Sequence, residues 1–223
     1  MAATAGCGQL GTDLNQVVAL EVFFPDSGLL EIGDTLHPSA RALNGHGDSV
    51  AAQIFWTSLD TGIVSVVDSG TGKTFAKAVG TGRLQARFGA LRSNPENVFV
   101  FVRLDSASAP GVTRDTVVVT PPDTLTPADS LSDSLIVKAW ADTAGAPGRP
   151  VVYTFDTYPP SDTTVTLVPK GTVLTNASGI AVVQVRLRKA TVPDSVVVSA
   201  AVLRPNGTQI PGSPVRFVVE FRP

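Results

Sequence analysis

One segment of the sequence has the composition of a phosphate-binding loop, Ser69-Gly70-Thr71-Gly72-Lys73-Thr74. Such a loop needs another glycine five positions before Gly72 and a helix after the threonine, because backbone N–H groups and the helix dipole must face the phosphate. Val67 stands at the glycine position, and residues 75–79 read as a β-strand. The segment therefore predicts a turn between strands and not a nucleotide site.

Aspartate is the second residue type that could do chemistry, since clustered carboxylates bind calcium. Of the fifteen Asp residues, fourteen are followed directly by Ser or Thr. Both side chains accept hydrogen bonds from nearby backbone N–H groups, so the pairs predict turns. The densest group, Asp123, Asp129 and Asp133, does not have the spacing of an EF-hand loop, and Glu is scarce. We therefore favour turns over a metal site at these residues. Calcium binding at this Asp-rich junction is the alternative that the sequence leaves open.

Catalytic side chains are hard to find elsewhere. His37 and His46 have no Glu or Cys at metal-ligand spacing, and no serine lies in a nucleophile-elbow pattern. We predict no catalytic residue and no cofactor, with an enzyme site in unrecognised loops as the least favoured reading. The net charge is −2 and the basic residues form no cluster, which argues against a nucleic-acid partner.

The single cysteine, Cys7, follows a run of small residues, Met1-Ala2-Ala3-Thr4-Ala5-Gly6. One cysteine excludes an internal disulfide and a multi-cysteine metal site. The run resembles the end of a bacterial lipoprotein signal, although Thr4 replaces the usual leucine and no charged or apolar region precedes it. The resemblance implies a lipid on Cys7, a tether over residues 1–13 and membrane anchoring. The alternative is an accidental match.

The backbone that carries these residues is predicted to form β-strands. Short runs rich in Val, such as Val17–Phe24 and Val98–Val102, favour a pleated sheet because β-branched side chains lose rotamer freedom in helices. Leu84–Phe88 and Val183–Arg188 alternate apolar with polar residues, which is typical of half-buried strands. No apolar stretch approaches the ~18 residues of a membrane helix. The sequence predicts an all-β protein.

An internal repeat sets the expected domain organisation. A shift of 99 residues places Trp56 on Phe155, and a shift near 97 aligns Gly82–Phe88 with Gly179–Val185. A period near 100 residues with about seven strands is the size of one immunoglobulin-like sandwich. We therefore predict two tandem immunoglobulin-like β-sandwiches. Their expected bounds are residues 14–120 and 121–223, joined by the stiff pair Pro121-Pro122.

The first copy resembles the bacterial immunoglobulin-like domains of intimin, invasin and other bacterial surface proteins. The resemblance lies in Gly33-Asp34-Thr35-Leu36, in Trp56-Thr57-Ser58-Leu59-Asp60, and in the segments 63–68 and 76–86. It implies a sandwich fold. It hardly constrains the ligand, because one fold carries many functions.

The second copy is similar to the invasin-type domain. The match consists of Asp142-x-x-Gly145-x-Pro147, of Tyr153 with Phe155, and of residues 175–181. The family usually has Asp where this chain has Asn176.

Aromatic residues divide into core candidates and ligand candidates. Trp56, Phe155 and Tyr153 lie between apolar neighbours, and we predict that they fill the space between the sheets. Trp140 and Tyr158 have less regular surroundings and are candidate ligand contacts. We also expect positive φ at Gly80 and Gly179, in tight hairpins.

The function expected from these observations is non-enzymatic. The chain is predicted to be an extracytoplasmic module pair at the bacterial envelope, on the cell surface, attached to the outer membrane or in the periplasm. It would act as adhesion module, spacer or accessory subunit, with a protein or cell-surface component as partner. The alternative is a carbohydrate-binding module that uses Trp140 and Tyr158.

Overall fold

The computed structural model describes residues 13–119, 129–160, 165–188 and 194–222. These residues form twenty-two β-strands and one short turn, Pro25–Gly28, which confirms the all-β prediction. No helix in these ranges is long and apolar enough to cross a membrane. Cys7, the Pro121-Pro122 junction and Asp123 lie outside the described residues.

The chain divides into two compact units, Met1–Phe101 and Val102–Pro223. The strands of the first unit are β1 (Val17–Phe23), β2 (Leu29–Glu31), β3 (Thr35–Leu36), β4 (Ser39–Asn44), β5 (Ser49–Val50), β6 (Phe55–Ser58), β7 (Val64–Val66), β8 (Thr74–Ala76), β9 (Gly80–Phe88), β10 (Leu91–Arg92) and β11 (Glu96–Phe101). The strands of the second unit are β12 (Ser106–Ser108), β13 (Arg114–Val118), β14 (Asp129–Leu131), β15 (Leu135–Ala141), β16 (Ala144–Gly145), β17 (Pro150–Tyr158), β18 (Val165–Val168), β19 (Thr172–Leu174), β20 (Ile180–Arg188), β21 (Ser195–Val202) and β22 (Val215–Arg222).

The first unit is a sandwich. One layer has the strand order β10-β9-β11-β2, with β6 also paired to β9. The other layer consists of β1-β4-β5 and β3-β8-β7, in which β3 and β4 follow each other along the chain. Buried side chains from both layers meet in one core: Leu30, Leu36, Trp56, Val64, Ala76, Leu84, Ala86, Val98 and Val100. Alternate residues of β8 and β11 are buried in it, as half-buried strands require.

The second unit is a sandwich of the same kind. Its layers have the orders β12-β15-β20-β14 and β13-β22-β21-β17-β19, and β18 pairs with β20 in the first of them. Strands β20 and β21 alternate strictly between buried and half-buried residues over most of their length. Their inward side chains, such as Val183, Val185 and Val198, are fully buried in one apolar core.

The division between the units differs from the division expected at residues 120 and 121. Strands β12 and β13, which the sequence assigns to the first domain, pair with β15 and β22 of the second unit. Leu104, Ala107 and Val117 are buried in the core of that unit. The reason is physical: both strands complete ladders whose other members lie far downstream, and local patterns do not encode such partners.

The two units share a topology that corrects part of the repeat alignment. In each unit an early strand pairs in parallel with the last one, β2 with β11 and β13 with β22. The neighbour of that last strand is β9 in the first unit and β21 in the second. Strand β9 therefore corresponds to β21. The shift that aligned β9 with the start of β20 joined strands with different places in the fold.

Gly80 and Gly179 have φ values of +143° and +76°, so the predicted positive φ is confirmed. The predicted hairpins are absent, however. Strand β8 pairs with β3 and β7, whereas β9 lies in the other layer; likewise β19 pairs with β17 and β20 with β15. Each glycine marks a place where the chain crosses from one layer to the other.

Candidate functional site

The segment 69–74 is a turn. The Asp68 carboxylate accepts hydrogen bonds from the N–H groups of Gly70 and Thr71, at 2.8 and 3.3 Å. Hydrogen bonding by the Thr71 side chain, and then by these N–H groups, lowers the pKa of Asp68. The Thr74 hydroxyl is buried and donates to the carbonyl of Gly72, at 2.9 Å. Because strand β8 begins at Thr74, no helix N-terminus is present to hold a phosphate.

The other candidate chemical residues do not converge within the described part of the chain. No group of three or more His, Cys, Asp or Glu side chains is arranged there to hold a metal ion. Asp133 is exposed, and its N–H donates to the Asp115 carboxylate at 2.8 Å, which ties the segment before β15 to strand β13. The side chain of Asp129 lies outside the described atoms.

Trp140 and Tyr158 lie in different layers of the second unit, on β15 and β17. The Lys138 ammonium sits 3.6 Å from the centroid of the Trp140 ring, and the indole N–H donates to the Ser108 hydroxyl at 2.9 Å. Lys138 thus covers one face of the ring with a cation–π contact. Tyr158 is 51% exposed at the end of its strand. The structure does not bring the two candidate ligand contacts together.

Trp56 and Tyr153 are buried, each with 4% of its surface exposed, and lie in the cores of their units. The Tyr153 hydroxyl has no hydrogen-bond partner among the described residues, and burial raises the pKa of this phenol. Phe155 departs from the prediction because 37% of its surface is exposed. It lies two residues beyond Tyr153, on the same face of β17, and lines an open cavity together with Val165 and Leu167 of β18.

A cavity of about 410 Å³ opens beside these residues, and we call it the β17–β18 cavity. Its lining comes from β17, from β18 and from the turn before β19: Tyr153, Thr154, Phe155, Val165, Thr166, Leu167, Lys170 and Gly171. A second cavity of about 260 Å³ adjoins it, shares Thr166, Leu167 and Lys170 with it, and adds Arg186 and Arg188. Sequence reasoning missed this site because its residues come from separate strands; the alternation Arg186-Leu187-Arg188 was the available signal.

The β17–β18 cavity lies between two strand edges. On one edge, strand β17 pairs with β21 from Val151 to Tyr158. On the other edge it pairs with β19 only from Pro150 to Val152. Strand β18 pairs with β20 on one side. Among the described residues, no strand pairs with the edge of β18 that faces away from β20, or with the β19-side edge of β17 at Phe155. The cavity is therefore bounded by backbone edges as well as by apolar side chains.

No protein-family model matches the sequence, and no curated protein does. Solved structures with a similar arrangement include the adhesin InvE of Yersinia pseudotuberculosis, with 15% identity, a TM-score of 0.40 and 92% of this chain covered. The chain spans 60% of that structure.

Two further solved structures also have a similar arrangement. The fibronectin(III)-like modules of Clostridium thermocellum CbhA have 11% identity and a TM-score of 0.43, with 91% of this chain and 94% of that one covered. The D0-D1 domain of intimin has 16% identity and a TM-score of 0.32, with coverages of 93% and 99%. The strand pairings of the chain itself define its fold: two all-β sandwiches of the immunoglobulin-like kind.

Proposed function

We propose that the chain is a non-enzymatic, extracytoplasmic pair of immunoglobulin-like modules at the bacterial envelope, where it attaches to a protein partner or acts as a spacer. The observation that carries the proposal is that two sandwiches, each with its own continuous core, follow one another in a single chain. A sandwich with its own core presents outer faces and strand edges without rearranging. The motif resemblance to bacterial surface domains supports the same role.

Two polar side chains of the sequence motifs, Asp68 and Asn176, support the proposal because both of them stabilise turns. Asp68 holds the turn at Gly70, and Asn176 accepts hydrogen bonds from the N–H groups of Ser178 and Ile180, at 2.9 and 3.1 Å. Such side chains stabilise turns between strands. We therefore expect function to lie in surfaces and edges.

The placement in the envelope is tested in cells that express the chain from its native gene with its own upstream sequence. We expect antibodies against the folded modules to label intact cells or spheroplasts, and fractionation to recover the protein with the envelope. Recovery in the cytoplasmic fraction would overturn the proposal. A cytoplasmic protein of known location serves as the control for cell lysis.

Lipid attachment at Cys7 is a separate part of the proposal. We expect radiolabelled palmitate to enter the native protein and not the Cys7→Ser variant, because a thiol is needed for attachment. Several acyl chains hold a protein at a membrane durably, whereas one chain holds it weakly. If the native protein stays unlabelled, lipid attachment at Cys7 is rejected, and the proposed role of the module pair is unaffected.

Carbohydrate binding is tested by a glycan array with wild-type protein and Trp140→Ala. The position of Lys138 over the Trp140 ring leaves at most one ring face for a sugar. We therefore expect no glycan signal that depends on Trp140. A signal that disappears in the variant would favour the carbohydrate-binding alternative.

A further inference from the structure

Strand β17 carries an aromatic side chain on its core face that the core does not cover. Every second side chain of the strand, at Val151, Tyr153 and Phe155, lies on the core face. The first two are buried, whereas 37% of the Phe155 surface is exposed. Phe155 lines the β17–β18 cavity of about 410 Å³ together with Val165 and Leu167. Cavities of this size, ~300–1,000 Å³, hold a ligand or an anchoring side chain.

The backbone beside the cavity offers a pairing edge. The Tyr153 N–H donates to the Gly171 carbonyl on the β19 side, at 3.4 Å. Backbone groups alternate direction along a strand, so the N–H and carbonyl of Phe155 point to the same side. The pairing of β17 with β19 ends before Phe155, at the pair Val152 and Thr172. An added strand can therefore bond to Phe155 and place a side chain into the cavity.

Among the described side chains, the charged ones that line the two adjoining cavities are basic. Lys170 lines both, and Arg186 and Arg188 line the smaller one. No Asp or Glu among the described residues lines either cavity. An occupant with carboxylates is attracted to this rim, and a basic one is repelled.

We propose that the β17–β18 cavity binds an extended acidic segment of a protein partner by strand addition at Phe155. An apolar side chain of the segment lies against Phe155, Val165 and Leu167, and its carboxylates pair with Lys170 and Arg188. Main-chain bonds supply affinity in this mode, while the cavity selects the side chain. The inference rests on the proposed attachment function and names the chemistry of its partner.

The test measures fluorescence polarisation of a labelled synthetic peptide, Asp-Val-Asp-Phe-Asp-Val-Asp, with the whole chain. We expect saturable binding, and no binding of the counterpart with Lys at every Asp position. Removing both rim charges, as Lys170→Gln with Arg188→Gln, weakens binding about tenfold, because two exposed ion pairs with the peptide are lost. The matched control is Lys77→Gln with Arg216→Gln, two residues that line neither cavity, and it leaves the affinity unchanged.

The apolar contact has its own pair of variants. Phe155→Ala weakens binding, whereas Phe99→Ala, an aromatic of similar exposure (39%) on β11, does not. Thermal unfolding of each variant shows whether the fold is intact. A Phe155→Ala variant that melts early is replaced by Phe155→Leu, which keeps the packing and still loses affinity for an aromatic anchor.

Three results would overturn the inference: no binding of the acidic peptide, equal binding of the Lys peptide, or an affinity that the rim and Phe155 variants leave unchanged. Binding of octanoate but not of the peptide would assign the cavity to a small amphiphile and equally reject the strand. Envelope localisation is measured independently, so a failed peptide test leaves the proposed function standing.

Discussion

At the scale of single residues, the Gly72-Lys73-Thr74 motif is explained by packing. Gly72 has φ of +74°, and a Cβ atom there would lie 2.8 Å from Cδ1 and Nε1 of Trp56 and 3.0 Å from Pro38. The glycine thus lets the turn lie flat against the indole that fills the first core. Its place in a phosphate-loop-like motif follows from this contact.

We predict that Gly72→Ala destabilises the first unit more than Gly47→Ala. Both glycines have positive φ, but a Cβ at Gly47 meets nothing within 4 Å. Both variants lose ~1–2 kcal/mol to backbone strain, and Gly72→Ala loses a further ~1–3 kcal/mol to overpacking against Trp56. Urea unfolding followed by tryptophan fluorescence measures the difference. Equal losses in the two variants would contradict the packing explanation.

Asp60 and Arg83 form an ion pair with a pH signature. The Arg83 guanidinium donates to both carboxylate oxygens of Asp60, at 2.8 and 3.1 Å, and its backbone N–H donates at 3.0 Å. The side-chain hydrogen bond from Arg83 lowers the pKa of Asp60. A carboxyl whose folded pKa is lowered adds stability above its unfolded pKa, about 4, and loses it as pH falls through the folded value.

We therefore predict that Asp60→Asn lowers the melting temperature at neutral pH, and that the difference from wild type shrinks as the pH falls below about 4. In an Arg83→Gln background the same substitution has a smaller effect at neutral pH. Differential scanning calorimetry between neutral and acid pH measures both. A difference that persists undiminished in acid would reject the ion pair as its cause.

At the scale of elements, the connection from β1 to β2 is a left-handed turn. Asp26, Ser27 and Gly28 have φ of 48°, 54° and 72° in succession. They carry the chain from the β1-β4 layer to the layer in which β2 pairs with β11. Only glycine adopts this conformation without steric cost, so Asp26 and Ser27 hold strain that the adjoining pairings maintain.

We predict that Ser27→Gly raises the free energy of unfolding by ~0.5–1 kcal/mol, because relief of ~1–2 kcal/mol of strain exceeds the added chain entropy. The control is Ser49→Gly on strand β5, where φ is not positive and glycine lowers stability. Thermal and urea unfolding compare the two. A loss of stability in Ser27→Gly would show that the serine makes a contact worth more than the strain.

The sequence predicted strands well and their partners poorly. The run Val17–Phe24 became β1, and the alternation at Val183–Arg188 lies within β20. Alternation is a local property, so it survives in the structure. The place of β20 beside β15, and the exposure of Phe155, depend on strands distant along the chain. For the same reason the β17–β18 cavity had no signature that a single segment could show.

At the scale of the whole molecule, the position of the division between the units has a direct test. A fragment that begins at residue 121 lacks β12 and β13, and with them the buried side chains of Leu104, Ala107 and Val117. It also uncovers the edges of β15 and β22. The fragment 102–223 keeps all of these.

We predict that the fragment 102–223 unfolds cooperatively and that the fragment 121–223 is less stable by several kcal/mol, since each buried apolar side chain contributes ~1.5–3 kcal/mol. Near-ultraviolet circular dichroism and urea unfolding measure this. Equal stability of the two fragments would instead support a boundary between the units at residue 120.

The parallel pairing of β13 with β22 has a mechanical consequence. The second unit begins at Val102, and its first strand, β12, pairs with β15. Strand β13 follows and pairs in parallel with the last strand, β22, with partners running from Arg114–Val218 to Val118–Arg222. A pull on the two ends of this unit that passes β12 drags β13 and β22 past each other along their length. The hydrogen bonds between them are then loaded together and not one after another. Strands β2 and β11 repeat the arrangement in the first unit. Tension along the chain meets a shear clamp in each module.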